Sequence, residues 1–94
     1  MADYTLDNTK LLYEWMETHD PERSDKLLAW ARAVCDEPEI VVSGELAPKG
    51  RRPLRTLFYS DIPGANTRVV FTVIELPVRC VHLLRICDDE YGLA

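Results

Sequence analysis

The stretch Thr67-Arg68-Val69-Val70-Phe71-Thr72-Val73-Ile74-Glu75-Leu76-Pro77-Val78-Arg79-Cys80-Val81-His82-Leu83-Leu84-Arg85-Ile86-Cys87 decides the fold. Its β-branched and aromatic residues favour extended chain, and Leu76-Pro77 interrupts them with a turn signal. Two strands, Thr67 to Ile74 and Arg79 to Cys87, are expected as an antiparallel hairpin, because so short a connection leaves no room for a parallel crossover. A turn of even length centred on Leu76-Pro77 places Arg68 opposite Arg85, Val70 opposite Leu83, Thr72 opposite Val81 and Ile74 opposite Arg79 on one face. Val69, Phe71, Val73, Cys80, His82, Leu84 and Ile86 make up the other, more apolar face, which should meet the core. Like charges directly opposite repel, so an anion is expected beside Arg68 and Arg85.

Upstream, Pro63-Gly64 turns the chain out of a further strand read from Leu54 to Tyr59. The polar, Pro- and Gly-bearing segment from Asp36 to Pro53 reads as a long loop, in which Gly44 and Gly50 act as punctuation. Before it the apolar period changes. Leu11, Leu12, Trp15 and Met16 form one stripe behind Asp7, predicting a helix from about Asn8 to Thr18 capped by that aspartate. Asp20-Pro21 starts a second helix, whose Leu27, Leu28, Ala31, Val34 and Cys35 form another stripe. A tight turn around His19 and Asp20 would make the two antiparallel. Tyr4 to Leu6 adds a short strand in front. The expected fold is α+β, (β)ααβββ: a helical hairpin on one face of a small antiparallel sheet, in a single domain spanning 1–94.

Ninety-four residues, 47% hydrophobic, suffice for one core and exclude a multidomain enzyme. Apolar runs stay far short of the roughly 20 residues a membrane span needs, and the N-terminus lacks a basic flank leading into an apolar stretch. A soluble, cytoplasmic protein with no membrane partner is expected. Cys35, Cys80 and Cys87 show no Cys-x-x-Cys spacing and read as reduced thiols; Cys80 and His82, two residues apart, are too few to make a metal site. No glycine-rich phosphate loop, Ser/His/Asp set or cofactor motif is present, so neither metal nor cofactor is expected.

The net charge of −5 hides a split. Residues 1–45 carry eleven acids and four bases, residues 46–86 seven bases and two acids, and the last eight residues three acids. Six of those seven bases are arginines, whose planar fork suits phosphate or carboxylate. Lys49, Arg51, Arg52 and Arg55 belong to this half, where a polyanion such as RNA, or an acidic partner, would dock.

The run Thr67 to Val73 followed by Val81 to Ile86, together with Pro53-Leu54-Arg55 and the segment Asp20-Pro21-Glu22-Arg23 to Glu37-Pro38, resembles the RelE/ParE superfamily of toxins from type II toxin–antitoxin modules. The resemblance spans nearly the whole chain and implies that superfamily's fold. It further implies metal-free cleavage of messenger RNA on the ribosome, silenced by a cognate antitoxin. Arg68 stands at the family's third-strand arginine, and Arg85 and Tyr91 resemble its strand-to-tail Arg and Tyr. The family's basic tail is replaced here by Cys87-Asp88-Asp89-Glu90, and its second-strand lysines by Leu57-Phe58-Tyr59.

Cleavage through a ribose 2′-hydroxyl needs a proton acceptor, stabilisation of charge at phosphorus and a proton donor. Arginine supplies only the second, so Arg68 and Arg85 would clamp phosphate oxygens while Tyr91 handled protons. The alternative for the two arginines is pairing with the protein's own acids, including Asp88 to Glu90. His82 is expected inside the core, His19 as a capping or solvated residue, and Trp15 and Trp30 as packing residues. Val70, Ile74, Arg79, Val81 and Leu83, sharing the arginine face, are the expected antitoxin contacts. Two readings follow: a ribosome-dependent endoribonuclease, or a protein of the same fold that acts by binding, as the gyrase-inhibiting ParE branch does, or that has lost activity. The acidic balance favours the second, since an enzyme working inside the ribosome must approach a dense polyanion.

Overall fold

A computed structural model describes residues 3–46, 56–62 and 64–88 of the chain. Its elements run β1 (Thr5–Asp7), α1 (Lys10–Glu17), α2 (Pro21–Asp36), α3 (Pro38–Val41), β2 (Gly44–Leu46), β3 (Leu57–Ile62), β4 (Thr67–Ile74) and β5 (Cys80–Asp88). The five strands form one sheet in the order β1-β5-β4-β3-β2. The expected α+β class is present, but the sheet is mixed: β1 lies parallel to β5, with Thr5 beside Cys80 and Asp7 beside His82. Three helices and three strands intervene between β1 and β5, length enough for the chain to return in the same direction.

The core has a simple origin in the sequence. On α2, Leu27, Trp30, Ala31 and Val34 repeat at i, i+3, i+4, i+7 and are all buried. Pro21, fixed at the helical φ, opens the helix with Glu22 in the first turn. On α1, Leu12 and Trp15 are buried, and Leu11 and Met16 pack beside them. These meet Ile62, Val69, Phe71, Val81 and Leu83 of the sheet, where Trp30 touches Phe71 edge-on with ring centroids 5.6 Å apart. A fully buried aliphatic side chain contributes about 1.5–3 kcal/mol, so the two helices are held on this one face.

Three expectations about the elements are revised. Asp7 ends β1 instead of capping the first helix, whose N-cap is Thr9. The segment read as loop contains α3, opened by Pro38 at its first turn, and β2, which pairs with β3 through Gly44 and Tyr59. The strand read as Leu54 to Tyr59 continues to Ile62, and its expected start lies outside the described residues.

The largest revision concerns register. The β4–β5 turn holds five residues, Glu75 to Arg79, so Ile74 pairs with Cys80 and Val73 with Val81. An odd turn slips the pairing by one residue relative to an even one, and a one-residue slip moves every side chain of a strand to the other face. Val81 and Leu83 are therefore fully buried in the core, whereas Cys80 and His82 lie on the face away from the helices. A second slip follows between Val70 and Phe71, where Arg85 and Leu83 are their partners and Leu84 is the extra residue of a bulge. Leu84 accordingly points out, 41% exposed. Beyond the bulge Arg85 is back on the open face beside Val70, and Ile86 is back on the core face beside Val69.

Candidate functional site

The face of the sheet opposite the helices gathers most of the charged groups of the strands. Across β3, β4 and β5 it shows Tyr59, Asp61, Arg68, Val70, His82, Arg85 and Cys87, and β1 adds Asp7 at the edge. Arg68 and Arg85 thus share a face as the sequence suggested. They are not directly opposite, since Arg68 stands across from Cys87 and Arg85 across from Val70.

Arg68 is the most constrained of these groups. Its Nε donates to Asp61 Oδ1 at 2.7 Å and its Nη2 to Asp61 Oδ2 at 3.2 Å, a two-pronged pairing between directly opposed residues. Its guanidinium carbon also lies 4.0 Å from the centroid of the Tyr59 ring, within cation–π range. The ring itself lies against Gly44, where an added Cβ would fall 2.7 Å from the tyrosine oxygen. Gly44, read as loop punctuation, is the residue small enough to let the ring settle there.

Arg85 differs. It is exposed, and no described residue accepts a hydrogen bond from it or pairs with it.

His82 occupies the part of this face next to β1. Its Nδ1 lies 2.8 Å from Asp7 Oδ2, and the other oxygen of Asp7 accepts from the Asn8 backbone N–H at 2.9 Å. Asn8 has φ of 63°, in the left-handed region that asparagine tolerates, and its side-chain amide donates to the Leu83 carbonyl at 2.9 Å. The β1–α1 corner is thereby fastened to β5, and the aspartate is aimed at the imidazole. Asp7's carboxyl is held below the ordinary carboxylate range, first by the bond to His82 and then by the Asn8 amide. A carboxylate only accepts, so the Nδ1 facing it carries the proton, and no described residue bonds to Nε2.

The second histidine is placed differently. His19 stacks on Trp15 with centroids 3.8 Å apart, its Nδ1 2.7 Å from the Trp15 carbonyl and its Nε2 3.0 Å from Asp88 Oδ1. Arg23 also donates to Asp88, at 3.3 Å, and to the Ala65 carbonyl at 2.7 Å. Asp88 is the last residue of β5 and ties the strand to the helical turn.

Of the expected contacts, Val70 and Ile74 lie half-buried on the open face, and Arg79 is exposed in the turn, 3.6 Å from Glu75. Val81 and Leu83 are removed from the candidate surface by their burial. Lys49, Arg51, Arg52, Arg55 and Tyr91 lie outside the described residues. Among the described residues, no group of three or more His, Cys, Asp and Glu could hold a metal, and no helix is long and apolar enough to cross a membrane.

His82 and Asp7 are the residues that sequence reading missed. The signal was present in β5, where apolar residues alternate as Val81 and Leu83 and then resume out of phase as Leu84 and Ile86. That break in alternation marks the bulge, and with it the sorting of His82 and Arg85 onto one face.

Compared with known proteins, the chain matches no family model, no curated protein and no solved structure.

Proposed function

We propose that this chain is the toxin of a type II toxin–antitoxin module with a RelE/ParE-like fold, acting as a metal-free, ribosome-dependent messenger RNA endoribonuclease. The observation that carries the reading is the pair Arg68 and Arg85 on the sheet face opposite the helices, with Arg85 exposed and held by no described acid. An exposed guanidinium on that face, held by no described acid, is suited to a phosphate that gains charge during cleavage. The partner is a cognate antitoxin segment covering Val70 and Ile74 and reaching Arg79, which keeps RNA from the same face. Expression of the chain in bacterial cells should arrest growth and yield transcripts cut inside translated regions. Arg85→Ala should cost on the order of 2–4 kcal/mol of transition-state stabilisation, while Arg32→Ala on the exposed side of α2 leaves activity intact. Growth that continues unarrested, or arrest that survives Arg85→Ala, rules the nuclease out.

One observation favours a second reading. Asp61 occupies Arg68 with both oxygens, and an arginine neutralised by its own sheet suits a surface that binds a protein target, as in gyrase inhibition, or a toxin-like protein without activity.

A further inference from the structure

We propose that His82, oriented by Asp7, is the proton acceptor of the open face, taking the proton of a ribose 2′-hydroxyl while Arg85 holds the adjacent phosphate; this rests on the RNA-cleaving reading above. Three features of the pair carry the inference. Among the described residues the imidazole is fixed at one nitrogen only, by Asp7, and its side chain is about one-third exposed on the face away from the helices. The carboxylate that fixes it is itself fixed, by the Asn8 amide, from a residue in left-handed conformation that is bonded to β5. Backbone placed in a sparse region and over-determined by its neighbours is a recurrent property of reacting sites. Third, the bulge at Leu84 puts His82 and Arg85 on one face although they are three residues apart, a spacing that a regular strand would divide between two faces.

The distances suit one nucleotide. Thr72 and Val70, the partners of His82 and Arg85 on β4, are two residues apart, or about 7 Å along the strand. His82 Nε2 would accept the proton from the 2′-hydroxyl, and the 2′-oxygen would form a bond to the neighbouring phosphorus. The bond from phosphorus to the 5′-oxygen of the next nucleotide breaks, and that oxygen takes a proton from water. A 2′,3′-cyclic phosphate and a 5′-hydroxyl remain; the imidazolium then returns its proton to solvent, and nothing is oxidised or reduced.

His19 shows by contrast what a structural histidine looks like in this protein. Both of its ring nitrogens have polar partners, Nδ1 the Trp15 carbonyl and the Thr18 hydroxyl and Nε2 the Asp88 carboxylate, and its face is covered by Trp15. It has no nitrogen left to offer.

The test is the cleavage rate of ribosome-bound messenger RNA as a function of pH, for the wild-type chain, His82→Ala, His82→Gln and Asp7→Asn, with thermal melts to confirm folding and Arg32→Ala as control. His82→Ala should lose a factor on the order of 10²–10⁴, together with the acid limb of its pH profile. Added imidazole should restore part of the rate to His82→Ala. His82→Gln should stay slow while folding normally, and Asp7→Asn should lower the rate and move the acid limb. If wild type cleaves and His82→Ala cleaves equally with the same profile, the assignment of His82 is wrong and the nuclease reading stands. The assignment is equally wrong if a slower His82→Ala keeps that profile and gains nothing from imidazole. A wild-type chain that cuts no messenger overturns both.

Discussion

Asp61 and Arg68 face each other across β3 and β4 and bond through two parallel contacts, Nε to Oδ1 at 2.7 Å and Nη2 to Oδ2 at 3.2 Å. The carboxylate side chain is 39% exposed and the arginine 23%, so solvent screens much of the attraction and the pair contributes about 1 kcal/mol or less. Its larger effect is on charge presentation, because the acid offsets the charge of the guanidinium beside it.

Asp61→Ala should therefore cost little stability and change binding more. If the open face meets RNA, releasing Arg68 from Asp61 should tighten binding and steepen the salt dependence by about one unit, the signature of one added phosphate contact. Titration of a fluorescent RNA at several salt concentrations reads both quantities. An unchanged slope would mean that Arg68 does not meet phosphate.

Leu83 and Leu84 should separate sharply. Leu83 is fully buried and Leu84 is 41% exposed, so Leu83→Ala should cost about 2–5 kcal/mol and Leu83→Glu should not fold. Leu84→Glu should stay within about 0.5 kcal/mol of wild type. Urea denaturation of the three variants checks the bulge directly, because an unbulged strand paired through an even turn would reverse the two residues.

The Asp7–His82 bond makes a pH-dependent contribution of known sign. A carboxyl held below its ordinary range in the folded chain contributes stability that is present above the unfolded value, about pH 4. It is lost as pH falls through the lower folded value. Wild type should therefore exceed Asp7→Asn in melting temperature at neutral pH, and the gap should close in acid. A gap that widens in acid would contradict the geometry.

Asp88 binds His19, Arg23 and Trp15 through one oxygen, at 3.0, 3.3 and 3.4 Å. Asp88→Ala should cost on the order of 1–3 kcal/mol, and its effect should be strongly non-additive with Arg23→Ala in a double-mutant cycle. Additive losses would mean that the two residues act separately.

The sequence made the helices legible because their stripes repeat with a helical period: Leu27, Leu28, Ala31, Val34 and Cys35 recur through the second half of α2. The strand β4 was equally clear, with Thr67–Ile74 matching the observed bounds. Short elements were not. Neither Pro38–Val41 nor Gly44–Leu46 is long enough to show a period, and both exist through tertiary contacts such as Gly44 with Tyr59. The site was legible only where two errors cancelled. The odd turn and the bulge each slip β5 by one residue, so Arg85, beyond both, kept its expected face, while Val81, His82 and Leu83, lying between them, changed sides. Charge patterning identified the arginines, but nothing local to Arg68 announced that Asp61 would hold it.

The parallel pairing of β1 with β5 bears on the order in which this chain can fold during synthesis. Thr5–Asp7 leaves the ribosome before every other described element, yet its ladder partner Cys80–Asp88 is the last of them to emerge. Until then Asp7 has no imidazole to meet and β4 has one open edge. Contacts between residues so distant along a chain close late, after the loop entropy between them has been overcome. A nascent chain stopped before Cys80 can therefore form its helices, but it cannot assemble the face that carries Asp7, His82 and Arg85.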